Sequence, residues 1–228
     1  MVIKMTTEIF KAIENNDFTT VKNMIENGTD VNIKNSDGVN PLIWAIWYEH
    51  YEIANFLLEK GADINCKDVN DDDIGDWCLE QDQIKPLEFA VEKGLEVHPE
   101  KEYDNDTPIL LWACRHNSVK VVKALLEKGA DLTATNREYE TALHIAVDSN
   151  NIEMVKLLVQ YGADVNEEAI FRMTPLLIAQ ERGYSEISDF LNANKKEGDD
   201  RCHECRVRTQ SVGPYCRSCY HKEYGYLS

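Results

Sequence analysis

One five-residue phrase returns along this chain at a fixed beat. It reads Gly28-Thr29-Asp30-Val31-Asn32, then Gly61-Ala62-Asp63-Ile64-Asn65, Gly129-Ala130-Asp131-Leu132-Thr133 and Gly162-Ala163-Asp164-Val165-Asn166. The glycines stand 33, 68 and 33 residues apart, so the middle interval holds two periods plus two residues, with one copy of the phrase lost. A self-similar period of this length restricts the chain to architectures built by stacking one small unit on the next.

The interior of the unit follows from what else keeps phase. Sixteen residues before the glycines lie Ala12, Ala45, Ala113 and Ala146, and one period further lies Ala179. An alanine kept at one phase marks a place where only a small side chain fits. Apolar pairs stand between alanine and glycine: Met24-Ile25, Leu57-Leu58, Leu125-Leu126 and Leu158-Val159. Apolar spacing of three to four on both sides of a short break predicts two brief amphipathic helices. Glycine after the second helix supplies a left-handed cap that a side chain would resist. Thr or Asn before Pro or Ala, as in Asn40-Pro41-Leu42, Thr107-Pro108-Ile109, Thr141-Ala142-Leu143-His144-Ile145-Ala146 and Thr174-Pro175-Leu176-Leu177-Ile178-Ala179, opens the first helix. The polar residue caps the first turn, and proline gives up a donor that has no partner there.

These openings resemble the Thr-Pro-Leu-His-x-Ala signature of ankyrin repeats, and the 33-residue period and Gly-Ala-Asp-Val-Asn phrase resemble the same family. The resemblance covers residues 6–194. It implies an all-α ankyrin-repeat solenoid of about six helix–turn–helix repeats, with β-turn fingers along one edge. The expected organisation is a repeat domain at 1–194, a polar linker at 195–201 and a small zinc module at 202–228. The capping glycines are Gly28, Gly61, Gly129 and Gly162. The third repeat, about 66–106, reads as degenerate: its first helix is placed at Lys85 to Gly94, after a long finger at 66–84 that contains Asp71-Asp72-Asp73, and its second helix at 95–106 is short or missing.

The resemblance also implies binding of another protein on a concave face made of finger tips and first-helix ends. The second and third residues after each small alanine then face a partner: Trp47-Tyr48, Glu92-Lys93, Arg115-His116, Asp148-Ser149 and Glu181-Arg182. Finger tips add Tyr103, Arg137, Tyr139, Phe171, Arg172 and Met173. Trp, Tyr and Arg at such positions suit interface hot spots. Trp44 and Trp112 share a phase with Phe89, Ile145 and Ile178 and are assigned to the core. His144 is expected to bond neighbouring loop backbone.

Charge narrows the partner. The formal charge is −17; residues 1–200 carry −20 and residues 201–228 carry +3. An acidic body repels phosphate backbones, which argues against nucleic acid, and steers a basic protein toward itself. No apolar run approaches the roughly 20 residues of a membrane helix, and the N-terminus lacks a secretory profile. A cytoplasmic monomer, in its own or a host's cell, is expected.

Four of the seven cysteines crowd into eighteen residues as Cys202-x2-Cys205-x10-Cys216-x2-Cys219. Two Cys-x-x-Cys hooks supply the four thiolates of a tetrahedral Zn2+ site. Four thiolates leave no open coordination position, so the single ion is structural. Two disulfides, or substitution by His203 or His221, remain open. Cys66, Cys78 and Cys114 are expected to be free thiols. With no nucleophile elbow, phosphate loop or His-Glu-x-x-His motif, the chain reads as a non-enzymatic adaptor, inhibitor or effector. An immunity-type inhibitor of a basic toxin, or contact with nucleic acid or the ubiquitin pathway through the zinc module, stand as alternatives.

Overall fold

A computed structural model describes residues 2–103 and 107–195, and the side chains of 7–102 and 107–195. The linker from residue 196 and the cysteines Cys202, Cys205, Cys216 and Cys219 lie outside the described residues, as does the side chain of Tyr103. The chain divides into two compact units, Met1–Asp131 and Leu132–Ser228.

The first unit holds four helix pairs: α1 (Val2–Glu14) with α2 (Phe18–Glu26), α3 (Pro41–Trp47) with α4 (Tyr51–Glu59), α5 (Ile74–Glu80) with α6 (Ile84–Glu92), and α7 (Ile109–Arg115) with α8 (Val119–Glu127). A two-residue antiparallel ladder, β1 (Glu102–Tyr103) on β2 (Thr107–Pro108), precedes α7. The second unit holds α9 (Ala142–Asp148) with α10 (Ile152–Gln160) and α11 (Pro175–Arg182) with α12 (Ser185–Ala193), and a 3-10 turn at Ile170–Arg172.

Within each pair the first helix packs on the second, and each pair packs on its neighbour: α1 on α3, α2 on α4, α6 on α8 in the first unit, α9 on α11 and α10 on α12 in the second. The small-residue phase explains the close approach. Ala45, Ala113, Ala146 and Ala179 are fully buried, among Leu57, Leu125 and Leu158. The helix starts follow the predicted chemistry. The Asn40 side chain accepts from the Ile43 amide at 3.0 Å ahead of Pro41, and Thr174 accepts from Leu177 at 3.2 Å ahead of Pro175.

The third repeat corrects the sequence reading. A first helix, α5, forms within 66–84, and the segment from Lys85 belongs to the second helix, α6, which starts at Ile84. Gly94, 33 residues after Gly61, is the capping glycine, with φ of +99°. The phrase is altered there, to Gly94-Leu95-Glu96-Val97-His98, rather than lost. Cys78 fills the small-residue phase and is fully buried. Asp73, read as part of an acidic finger, caps α5: its carboxylate accepts from the Gly75 and Asp76 amides at 2.6 and 3.2 Å, while Asp76 reaches back to the Asp73 amide. Pro86 is the third residue of α6, inside the first turn, where a helix needs no donor. The turn inside every pair keeps the same count, with left-handed Asn16, Glu49, Asp82, Asn117, Asn150 and Gly183.

The two extra residues fall between Gly94 and Gly129. There the finger closes as the β1–β2 ladder, and the Ile109 amide donates to the Lys101 carbonyl at 3.0 Å. Thr107 and Pro108 are therefore strand, and Pro108 stands at the N-cap of α7, with no side-chain cap, rather than at its first helical position. Lys101 anchors this finger to Asp73 and Asp76 at the start of α5.

Candidate functional site

The fingers are built by Asx chemistry. Asp30, Asn35, Asp63, Asp68, Asn136 and Asp164 each accept a backbone amide two residues on, a local bond that fixes a tight turn. Successive fingers are then laced together. In the first unit the Val69 amide donates to the Asp37 carbonyl at 2.9 Å; in the second the Ile170 amide donates to the Glu138 carbonyl at 3.1 Å.

In the first unit an aromatic array spans two repeats. Trp44 and Trp47 stand one turn apart on α3, Tyr48 ends that helix, and Trp77 lies one period after Trp44 on α5. Trp77 meets Trp47 edge-on at 5.5 Å and Trp44 at 6.4 Å; Tyr48 lies 5.5 Å from Trp44, and Phe10 closes the other side at 6.0 Å. Trp44, Trp47 and Trp77 are half-buried and Tyr48 is 40% exposed. The Trp77 indole donates to Asp68 at 3.2 Å. That carboxylate is raised by burial, but the Asn70 and Asp72 amides and the indole outweigh burial and hold it below its ordinary value. The Trp44 indole nitrogen is buried with no hydrogen-bond partner among the described residues.

Trp112, at the same phase, is only 2% exposed and donates to Asp82 at 2.8 Å. The core assignment therefore fits Trp112, while Trp44 opens into the array. Phe89 does not share this phase; it lies on α6 and stacks on Tyr51 at 4.6 Å. Trp77 is not among the residues expected to face a partner, because a finger at 66–84 has no helix to present it; its 33-residue distance from Trp44 is the sequence signal for its place.

Of the residues expected to face a partner, Trp47 and Tyr48 come together in this array. Arg115 is exposed at the end of α7, and His116 contacts Asp82 at 2.8 Å. Glu92 and Lys93 end a second helix, not the first helix expected there, because α5 supplies the first helix of that repeat; Glu92 pairs with Lys120 at 2.7 Å. The matching first-helix end is Glu80 and Gln81.

In the second unit, Arg137, Tyr139, Phe171 and Arg172 lie on the two laced fingers. Tyr139 is 65% and Phe171 88% exposed. Tyr139, Phe171 and Arg172 all have φ of +57°, a left-handed conformation uncommon for such side chains. A concavity of about 310 Å³ lies between these fingers and the ends of α9 and α11. Asp148 and Arg182 form an ion pair across its edge. His144 behind the finger is fully buried. Its Nδ1 accepts from the Thr141 amide at 3.2 Å, so Nε2–H donates to the Met173 carbonyl at 3.0 Å.

The family model for ankyrin repeats, in three copies, matches residues 4–68, 77–169 and 110–202. The chain belongs to the ankyrin-repeat family. An ankyrin-repeat domain from Acinetobacter baumannii AYE, known from a crystal structure, is similar over 82% of this chain and 97% of its own, at 26% identity and a TM-score of 0.54. No curated protein matches. Ankyrin repeats are in general protein–protein interaction modules and typically non-enzymatic. In this ankyrin-repeat chain, no described helix is long and apolar enough to cross a membrane. Among the described residues no cluster of His, Cys, Asp and Glu could hold a metal.

Proposed function

We propose that this chain is a non-enzymatic adaptor or inhibitor that holds a protein with a basic surface against its first-helix ends and finger tips. The observation that carries this reading is the array of Trp44, Trp47, Tyr48 and Trp77, which leaves aromatic surface partly exposed on one edge of the first unit. Rigid aromatics at the centre of a contact bury large areas at little entropic cost. The charge of −20 over residues 1–200 favours a basic partner and raises its rate of encounter. Further proposed contacts are Arg115 and His116 in the first unit and, taken by themselves, Arg137, Tyr139, Phe171 and Arg172 in the second.

The test is capture by the tagged full chain, read by mass spectrometry against a W47A/Y48A variant. A specific basic protein should be retained by the wild type and lost by the variant. Retention by both sinks the assignment of these aromatics.

Cys202, Cys205, Cys216 and Cys219 are proposed to hold one structural Zn2+, on the strength of their paired spacing. Elemental analysis should give one zinc per chain, and C202S/C205S should abolish it. A metal-free preparation from zinc-supplemented cells would refute the site.

A further inference from the structure

The concavity of the second unit has a composition that selects its occupant. Met173 and Ile178 give it an apolar lining and Phe171 an aromatic wall; among the described residues that line it, Glu138, Glu140, Asp148 and Glu181 set four carboxylates against the single cation Arg182. Two of these carboxylates are already engaged: Asp148 by Arg182, and Glu140 by the Asn136 side-chain amide at 2.7 Å. Glu138 and Glu181 have no hydrogen-bond or ion-pair partner for their carboxylates among the described residues. Phe171 is 88% exposed from a left-handed backbone that its neighbour Arg172 shares. The Ile170 amide, bonded to the Glu138 carbonyl, holds that aromatic finger beside the acidic one.

An apolar hollow bordered by an aromatic face and two unpaired carboxylates fits one ligand chemistry. A guanidinium is flat, weakly hydrated and permanently charged; it stacks on an aromatic ring and can serve more than one carboxylate through its fork of donors. An ammonium is more strongly hydrated and lacks the flat face. The pairing of Arg182 with Asp148 shows a guanidinium seated at this edge. At about 310 Å³ the hollow lies at the small end of ligand pockets, a size for one side chain and its flanking backbone rather than a folded surface.

We propose that this concavity receives an arginine side chain from a basic segment of the partner, its guanidinium held by Glu138 and Glu181 and covered by Phe171. The proposal rests on the reading of the chain as a binder of a basic protein, and it assigns the arginine contact to the second unit alone.

The experiment titrates the full chain into a fluorescein-labelled Gly-Arg-Gly-Arg-Gly peptide, with citrulline and lysine counterparts, by fluorescence anisotropy. Citrulline keeps the shape and removes the charge. The arginine peptide should bind about ten-fold tighter than the citrulline peptide, a ratio within reach of one close charge pair. In a 15N-labelled chain the amide signals of Ile170, Phe171 and Glu181 should move. E138Q/E181Q, and separately F171A, should each weaken binding by about five-fold or more with an unchanged circular dichroism spectrum. Equal affinity for citrulline, signal changes confined to residues 7–131, or indifference to both variants overturns the proposal. Equal affinity for lysine overturns the choice of arginine. Binding that emerges only in an R206Q/R208Q/R217Q chain would put the protein's own C-terminal segment in the hollow, and overturns a partner arginine. The two readings fail separately: loss of peptide binding with W47A/Y48A-sensitive capture intact removes only this site, whereas peptide binding without such capture removes the first-unit contact.

Discussion

The side-chain oxygen of Asn65 accepts the backbone amide of Glu96 at 3.0 Å. One period earlier, Asn32 makes the same bond to Asp63 at 2.8 Å and also donates to the Gly61 carbonyl. The last residue of one phrase thus ties down the third residue of the next, and Glu96 accepts this role although its phrase has changed around it. Since the bond uses only the backbone amide, the side chain there was free to vary.

Replacing Asn65 with Ala leaves the Glu96 amide without its acceptor and should cost about 1 kcal/mol. Asn32→Ala removes bonds to both Asp63 and Gly61 and should cost more, about 1–3 kcal/mol. Urea unfolding followed by circular dichroism would rank the two, and a smaller loss for Asn32→Ala would refute the lacing.

Two glycines separate backbone strain from crowding. Gly28 and Gly38 both have left-handed φ, but a Cβ on Gly28 meets nothing within 4 Å, whereas one on Gly38 falls 2.9 Å from the Val69 amide nitrogen. Gly28→Ala should cost about 1 kcal/mol from conformation alone. Gly38→Ala should cost more, because the next finger must move. Equal thermal shifts would show that the fingers are not held at that spacing.

His144 makes stability depend on pH. Burial pushes its pKa below the ordinary 6.5, outweighing the Met173 carbonyl, which accepts from Nε2–H and favours the charged ring; Nδ1 must be unprotonated to accept from the Thr141 amide. A depressed folded pKa means the contribution is complete above 6.5 and is lost as pH falls through that value toward the folded one. Between pH 7.5 and 5.5 the wild type should therefore lose stability faster than His144→Gln, by at most about 1.4 kcal/mol per pH unit. Parallel slopes in denaturant titrations at several pH values would contradict this.

The thiols should fall into two classes. Cys66, Cys78 and Cys114 are free and buried; burial pushes the Cys78 thiol up to about 12 and raises Cys114 as well. Native protein at pH 8 should leave these three unalkylated, since the thiolate is the reactive form. With a zinc chelator the cysteines at 202, 205, 216 and 219 should become reactive while the three stay protected, as read by peptide mass spectrometry.

Most of the fold was written in phase. A glycine that needs positive φ, a residue that must be small, and a Pro or Ala after a capping side chain are local demands, and each can be counted. The third repeat escaped because three substitutions coincided. Cys78 stands for alanine, Leu95-Glu96-Val97 stands for the usual apolar-acidic-apolar letters, and Lys85-Pro86-Leu87 imitates a first-helix opening. Plain counting from Gly61 to Gly94 outranks all three, because the left-handed cap depends on backbone alone. Site residues divide in the same way. Exposure of Tyr139 and Phe171 follows from their place on finger tips. The meeting of Trp77 with Trp47 depends on the register of two repeats, and so on the helix α5 that the altered third repeat conceals.

The ladder of Glu102–Tyr103 on Thr107–Pro108 takes up two surplus residues, and the turn count resumes on the far side, from Asp82 to Asn117 to Asn150. An irregularity confined to one loop leaves the cadence of the helices untouched. That site is therefore a natural graft point: foreign peptide sequence spliced there would be displayed beside α7 without re-timing the array, a property that engineers of scaffolds seek and that lineage drift could exploit to acquire new recognition.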